Sequence, residues 1–192
     1  NYKKRKLNIK KFNSKNKYIK RGISFNCSKF NIAFTTKFLN QAGALVNIYL
    51  DGSVHISTGA CEMGNSTTTK ISQVAAFQLG LTVNKIKISA TNTSKVSNTS
   101  PSAASSTTDL NAMAVVDAIS NIKKKISFYI KSKYKLKGAV KGVYENGKVK
   151  FKGLKAFNFK SLINEIYINR VPTFSSGFYK VPKINFNKKK FE

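Results

Sequence analysis

Two segments in the middle of the chain carry residue types that bind anions through their backbone. The first is the glycine turn (residues 59–67), in which two glycines are followed by amide and hydroxyl side chains. The second is the small-residue loop (residues 100–109), which reads SPSAASSTTD. Each precedes a predicted helix, whose first N–H groups lack intrahelical partners and whose dipole favours negative charge. Either segment alone is more often an ordinary N-cap, whereas two together favour a site for a phosphate or another anionic group.

The chain has few residues of the types that form other kinds of catalytic site. His55 is the single histidine, and the seven acidic residues are scattered along the chain. No group of His, Cys, Asp or Glu has metal-ligand spacing, and GxSxG, P-loop and GxGxxG segments are missing from the sequence. Cys27 and Cys61 form no CxxC pair, which argues against a zinc site or a disulfide framework and is typical of a cytoplasmic protein. One histidine and few carboxylates leave few candidate residues for general acid–base catalysis.

Local signals predict the elements that position the glycine turn. Apolar residues alternate on both sides of an Asp-Gly pair, which predicts a β-hairpin over residues 44–57 with His55 on its polar, exposed face. The apolar spacing over residues 71–79, followed by the terminator Gly80, predicts an amphipathic helix. The glycine turn therefore connects a strand to a helix start.

The remaining elements predict an α+β fold of β-hairpins and a mixed sheet packed with helices. They are a lysine-rich surface helix at 2–13, a strand at 85–89, a buried helix from Asp109 that leaves the core at lysines 123–125, a hairpin at 143–149 and a helix at 159–168. We expect one lobe over residues 1–134, containing both anion-binding segments, and a small hairpin–helix unit over residues 135–192.

The net charge of +28, from 35 basic and 7 acidic residues among 192, first indicates a nucleic-acid-binding protein. Only three of the basic residues are arginine, and residues 38–117 carry four basic and four acidic residues. The net positive charge therefore lies in the two flanking parts of the chain and not around the anion-binding segments. Such a distribution is expected if an AT-rich genome enriches lysine on the protein surface. A basic nucleic-acid-binding protein stays an alternative that predicts salt-dependent binding to DNA. No apolar run approaches the ~18–20 residues that span a membrane.

Six blocks of sequence resemble the molybdenum-binding (molybdopterin) subunit of xanthine dehydrogenase, in the xanthine oxidase/aldehyde oxidase family. FLNQAGALV, EMG and NTSPSAAS favour xanthine dehydrogenase over the aldehyde oxidases. The resemblance implies that the chain is an internal segment of the molybdenum-cofactor-binding domain of a molybdenum hydroxylase. The blocks are KRGIS (20–24), KFNIAFTTKFLNQAGALVNIYLDGSV (29–54), EMGNSTTTKISQVAAFQLGL (62–81), NKIKISATNT (84–93), SNTSPSAASSTTDLNAMAV (97–115) and RVPTFSSGFYKVPKI (170–184).

The resemblance implies hydroxylation of purines, from hypoxanthine to xanthine to urate, with electrons leaving through iron–sulfur clusters and FAD on partner domains or subunits to NAD. Phe34 matches a phenylalanine that packs against the purine, and Thr35 matches a substrate-contacting threonine. The backbone of Ala104 matches the position beside molybdenum. The residues that match cofactor-binding positions are Met63, Gly64 and Asn65 in the glycine turn, and Ser102, Ala103, Ala104, Ser105 and Thr107 in the small-residue loop.

The chain also departs from the family pattern. It reads GACEMGNS where the family usually reads GGTEMGQG, so that Asn65 is one methylene shorter than the usual glutamine. Ser66 replaces a glycine, which is harmless only if its φ is negative. The resemblance places the family's glycine-rich segment, its substrate-binding arginine and glutamate, and its general-base glutamate outside residues 1–192. We therefore expect the chain to be inactive by itself, and a decayed or split-gene product without cofactor is the first alternative.

Overall fold

A computed structural model describes residues 1–28, 32–96 and 98–190. Lys29 and Ser97, which open two of the blocks quoted above, lie outside the described residues. The chain divides into two compact units, Asn1–Asn31 and Ile32–Glu192. The first unit contains helix α1 (Tyr2–Lys15), which has no buried residues, so the predicted surface helix is confirmed.

The second unit is built on a four-stranded mixed sheet. Its strands are β1 (Gln41–Ile48), β2 (Val54–Thr58), β3 (Ile86–Ile88) and β7 (Phe174–Lys180), in the order β3-β2-β1-β7. β1 and β2 form the predicted antiparallel hairpin with Val46 opposite Ile56, while β3 lies parallel to β2. The exposed position predicted for His55 is wrong: its ring is half-buried and lies 6.4 Å from the ring of Tyr49.

β7 completes this sheet and carries no local signal that predicts it. It runs antiparallel to β1 over seven residue pairs, from Gln41 opposite Lys180 to Asn47 opposite Phe174. Its middle reads Ser-Ser-Gly, a composition typical of a loop. The partner of β7 lies more than a hundred residues away in the sequence, so long-range pairing decides its conformation.

The second unit also contains three helices: α2 (Thr67–Leu79), α3 (Thr107–Lys133) and α4 (Phe159–Ile168), of which α3 packs on β1 and β7. α2 ends where predicted, at Gly80 in the left-handed region with φ of +62°. The prediction that α3 leaves the core at lysines 123–125 is wrong, because Ile126 and Ile130 are still buried. Apolar residues continue at helical spacing beyond the lysines and keep one face of the helix in the core.

A second, three-stranded sheet follows α3. It contains β4 (Val143–Glu145), β5 (Lys148–Lys150) and β6 (Phe157–Asn158), in the order β4-β5-β6. The predicted hairpin turn is confirmed, with Asn146 and Gly147 both at positive φ. The N–H of Gly147 donates to the carbonyl of Gly80 at 2.7 Å, which ties this hairpin to the end of α2. α4 follows, and its Glu165 accepts hydrogen bonds from Tyr129 and Lys133 of α3.

The elements of the second unit share one buried apolar core, and their helices and sheets confirm the α+β class. Ile71 and Leu79 of α2, Ile119 and Ile122 of α3, and Ile163 of α4 are all completely buried. The division of the chain near residue 134 stays a prediction. In the part of the chain that the structure describes, no helix is both long and apolar enough to cross a membrane.

Candidate functional site

The glycine turn is organised around the carboxylate of Glu62. This carboxylate accepts hydrogen bonds from the backbone N–H groups of Gly64 at 2.9 Å and of Ser66 and Thr68 at 3.0 Å. The α2 N-terminus, which we expected to bind an external anion, is therefore already neutralised by an anion of the chain itself. The N–H of Thr68 lowers the pKa of Glu62 most, with smaller contributions from Ser66 and Gly64.

We expect Glu62 to make the turn sensitive to acid. Because its pKa is lowered on folding, the carboxylate stabilises the folded chain above the ordinary glutamate value of 4.5 and loses this effect as the pH falls below it. Wild type is therefore more stable than Glu62→Gln at pH 7, and the difference shrinks below about pH 4.5. Urea denaturation of both proteins from pH 7 to pH 3 measures it. A difference that stays constant with pH contradicts this role for Glu62.

Gly64 and Met63 are open to solvent, and Asn65 forms a hydrogen bond within the glycine turn. Gly64 has a φ of +86° and no atom within 4 Å of the position where a Cβ would stand. The side chain of Met63 is 63% exposed. The side-chain oxygen of Asn65 accepts from the N–H of Met63 at 3.3 Å, so the shorter amide is used within the turn.

Ser66 does not satisfy the condition under which it replaces glycine without strain. Its φ is +57° and its ψ +27°, which places it in the left-handed region just before α2. A side chain costs roughly 1–2 kcal/mol in that conformation. The substitution of serine for glycine therefore strains this chain at the start of α2.

We predict that Ser66→Gly stabilises the chain by roughly 0.5–1 kcal/mol, because the relief of strain exceeds the greater freedom of glycine in the unfolded state. Ser106→Gly is the matched control, since Ser106 is also an N-cap serine but has a φ of −98°. Glycine there is expected to destabilise. Thermal denaturation compares the two variants, and a destabilised Ser66→Gly protein refutes the strain.

The small-residue loop forms a tight turn that leaves the start of α3 uncapped. The N–H of Ser106 donates to the carbonyl of Ala103 at 3.2 Å, and between them Ala104 and Ser105 have φ of +52° and +55°. The hydroxyl of Ser106 also donates to Ala103 and does not cap α3. The side chain of Thr107 is buried. Small, exposed residues and uncapped N–H groups therefore stand side by side, as an anionic ligand requires.

Direct contacts join the glycine turn to the small-residue loop. The N–H of Cys61 donates to the hydroxyl of Ser102 at 2.8 Å, and the hydroxyls of Thr67 and Thr108 lie 3.4 Å apart. Gly59 lies so close to Thr99 that a Cβ on the glycine would overlap the threonine side chain. The structure thus brings together the two segments that the sequence singled out.

A third segment, carrying Phe34 and Thr35, is fixed by a residue that the sequence did not reveal. Phe34 is half-buried and Thr35 exposed. The buried side chain of Asn40 accepts from the N–H of Phe34 at 2.9 Å and donates to its carbonyl at 3.0 Å, and it also donates to the carbonyls of Thr36 and Lys37. A buried asparagine is indistinguishable from a surface one in a single sequence, which explains the omission.

Ser100 connects this third segment to the small-residue loop. Its buried hydroxyl bonds to the carbonyls of Leu39 and Gln41, on both sides of Asn40. Sequence analysis placed Ser100 only as the first residue of a loop rich in hydroxyls. All three predicted site segments are therefore linked by hydrogen bonds.

The donors at this site fit an organic anion better than a metal ion held by protein side chains. Within the described residues, no group of three or more His, Cys, Asp or Glu side chains is placed to hold a metal. Backbone N–H groups, hydroxyls and alanine methyls dominate instead. A phosphate-bearing organic group matches these donors, because backbone N–H groups bind phosphate oxygens and small side chains allow close approach.

Comparison with known proteins agrees with the family resemblance of the sequence blocks. The family model for the molybdopterin cofactor-binding domain matches residues 1–192. Xanthine dehydrogenase/oxidase of Gallus gallus is 40% identical over 187 residues, which are 97% of this chain and 12% of that protein. Xanthine dehydrogenase of Dictyostelium discoideum is also 40% identical, over 186 residues. The chain spans about an eighth of the length of these relatives.

Solved structures show the same fold at lower sequence identity. Quinoline 2-oxidoreductase from Pseudomonas putida 86 superimposes with a TM-score of 0.64 at 19% identity, over 74% of this chain and 19% of that one. CO dehydrogenase from Oligotropha carboxidovorans superimposes with a TM-score of 0.61 at 21% identity, over 75% of this chain and 19% of that one. The match over the full length and the identity to the relatives agree with the resemblance in the sequence blocks. The chain belongs to the molybdopterin cofactor-binding domain family.

Proposed function

We propose that the chain is the part of a purine-hydroxylating molybdenum oxidoreductase that holds the molybdopterin cofactor and forms one wall of the substrate pocket. The convergence of the glycine turn and the small-residue loop beside the uncapped start of α3 carries this proposal. Ala104 presents its backbone to the metal in this proposal. The residues proposed to hold the cofactor are Met63, Gly64, Asn65, Ser102, Ala103, Ala104, Ser105 and Thr107.

The residues of the chain bind and orient, and the cofactor supplies the two-electron oxidation and oxygen transfer of a hydroxylation when it is bound. Backbone N–H groups of the small-residue loop donate to anionic oxygens. The ring of Phe34 offers a flat apolar face to a heterocycle, and Thr35 adds a hydroxyl that donates or accepts. Asn40 fixes the backbone of Phe34 on both its N–H and its carbonyl and so holds this wall in place.

This function requires partners outside the chain. We propose the remainder of the molybdenum subunit and domains or a subunit with FAD and iron–sulfur clusters, which pass electrons to NAD. The general base is proposed to lie on the remainder of the subunit, so that the chain is inactive alone. We further propose a cytoplasmic location, and a cofactor lobe over residues 1–134 with a hairpin–helix unit over residues 135–192.

Molybdenum content tests the proposal. The chain is co-expressed with the remaining segments of its subunit, and molybdenum per mole of purified protein is measured by mass spectrometry. Ala103→Glu places a negative charge beside the proposed anion site, and Ala156→Glu is the matched control, because both alanines are exposed. We expect molybdenum near stoichiometry in wild type and the control, and at least tenfold less in Ala103→Glu.

The alternatives give different results in the same experiment. A folded complex without molybdenum supports the decayed or split-gene product and overturns cofactor binding. Equal molybdenum content in Ala103→Glu and Ala156→Glu would show that the cofactor does not bind at the small-residue loop. Reduction of NAD with xanthine, compared with an aldehyde, then tests the purine preference, and faster turnover of the aldehyde contradicts it.

A further inference from the structure

An open groove of about 580 Å³ lies between α3 and the segment that follows it. One wall is a stripe of α3 that contains Lys123, Phe128 and Lys131, and the other is the segment over residues 138–142. The groove has the volume of a ligand site and shares no residue with the glycine turn or the small-residue loop.

The groove is positively charged, without acidic residues in its walls. Four lysines line it: Lys123, Lys124, Lys131 and Lys141. The two ion pairs formed within the described residues, Lys133–Glu165 and Lys150–Glu145, use none of them. Lys123 lies with its ammonium 4.4 Å from the centre of the Tyr144 ring, and burial lowers its pKa. Within the described residues these lysines are therefore free to pair with the negative charge of a ligand.

Both walls of the groove carry an apolar side chain, and one of them offers backbone groups. Phe128 on the α3 wall is 76% exposed, and Val140 belongs to the wall formed by residues 138–142. Within the described residues, the N–H and carbonyl groups of residues 138–142 take part in no hydrogen bond. A main chain laid along the groove would find these donors and acceptors available.

We propose that this groove binds an acidic polypeptide segment with an apolar side chain that covers Phe128. From Lys123 to Lys131 the helix rises about 12 Å, a length that roughly four residues of extended peptide span. A small anion neutralises only one or two of the lysines, whereas the repeated carboxylates of an acidic peptide that extends beyond these four residues reach lysines along the whole groove. The backbone groups favour a peptide over a nucleic acid, because the bases of a nucleic acid also stack on an exposed ring but its strand has no repeat of N–H and carbonyl groups to pair with residues 138–142.

Peptide titration tests the proposal on the 192-residue chain. The probe is an eight-residue synthetic peptide that alternates Glu with Leu, and the control replaces each Glu with Gln. Nitrogen-15 NMR follows the amides of Gly138 and Gly142, which lie in the groove. We expect the Glu peptide to shift both amides and to bind at least tenfold more tightly than the Gln peptide at moderate salt.

Charge reversal locates the site. Lys124→Glu/Lys141→Glu reverses two lysines of the groove, and Lys152→Glu/Lys155→Glu reverses two exposed lysines outside it. We expect at least tenfold weaker binding for the first pair alone, with circular dichroism confirming that both proteins are folded. Equal weakening by both pairs overturns the proposal, as does equal binding of the Glu and Gln peptides. A thymidine oligonucleotide or 1-naphthyl phosphate that shifts the glycine amides when the peptide does not overturns it too.

Discussion

Gly177→Ala is expected to destabilise the chain by roughly 3 kcal/mol or more, because the added methyl has no space. Gly177 lies in the middle of β7, where its Cα faces α3, and a Cβ would overlap the carbonyl oxygen of Ala114 and the backbone nitrogen of Ala118. Both alanines are completely buried. Backbone atoms cannot rotate away as a side chain does, so either β7 separates from α3 or the helix shifts against the sheet.

Urea denaturation followed by circular dichroism measures this effect. Gly22→Ala is the control, because nothing lies within 4 Å of the position where its Cβ would stand. The control is expected to change the free energy of unfolding by less than about 0.5 kcal/mol. A Gly177→Ala protein as stable as the control would show that β7 does not pack on α3 as closely as described.

Asn40→Ala is expected to cost about 2–4 kcal/mol and to release the segment that carries Phe34. The substitution removes one acceptor and one donor group that together serve the backbone of Phe34, Thr36 and Lys37. The N–H and carbonyl of Phe34 lie in a part-buried environment, so the loss of their partner is not fully offset by water, whereas the carbonyls of Thr36 and Lys37 keep backbone N–H donors from residues 39 and 40. Hydrogen exchange of the Phe34 amide is expected to accelerate at least tenfold.

Two further variants separate this effect from a general loss of stability. Asn164→Ala removes an exposed amide that donates to the carbonyls of Leu50 and Lys160, and we expect it to cost less than about 1 kcal/mol. Asn40→Asp keeps the acceptor but turns a carboxylate toward three carbonyls, so its own pKa should rise. It should therefore be unstable at neutral pH and recover as the pH falls and the protonated acid donates again. An Asn40→Asp protein that does not recover in this way contradicts the proposed hydrogen bonds of residue 40 to the backbone of Phe34.

Elements defined by neighbouring residues were predictable from the sequence. The β1–β2 hairpin follows from alternation around an Asp-Gly pair, α2 follows from apolar spacing and its terminator Gly80, and α4 follows from apolar spacing. β7 was not predictable, because its partner strand is distant and its Ser-Ser-Gly centre is typical of a loop. The buried part of α3 was predicted to end too early, because three successive lysines mask the apolar face that continues through Ile126 and Ile130.

The segments of the candidate site were predictable from the sequence, whereas the contacts within and between them were not. Glycines and small hydroxyl residues before helix starts indicated an anion site, and the sequence blocks indicated which kind. That the Glu62 carboxylate neutralises α2, that Ser66 is left-handed and that Asn40 is buried depend on backbone conformation and packing. Pattern and composition contain no information on these three properties.

The carboxylate of Glu62 also bears on the order of events when such a domain matures. It satisfies two N–H groups of the glycine turn and one in the first turn of α2 from within the chain, so the turn needs no ligand to take up its shape. A cofactor that arrives late then meets a formed receptacle and loses little affinity to the ordering of loose chain. Folding of the domain and binding of the cofactor are then separate events, so the domain can fold completely before the cofactor binds.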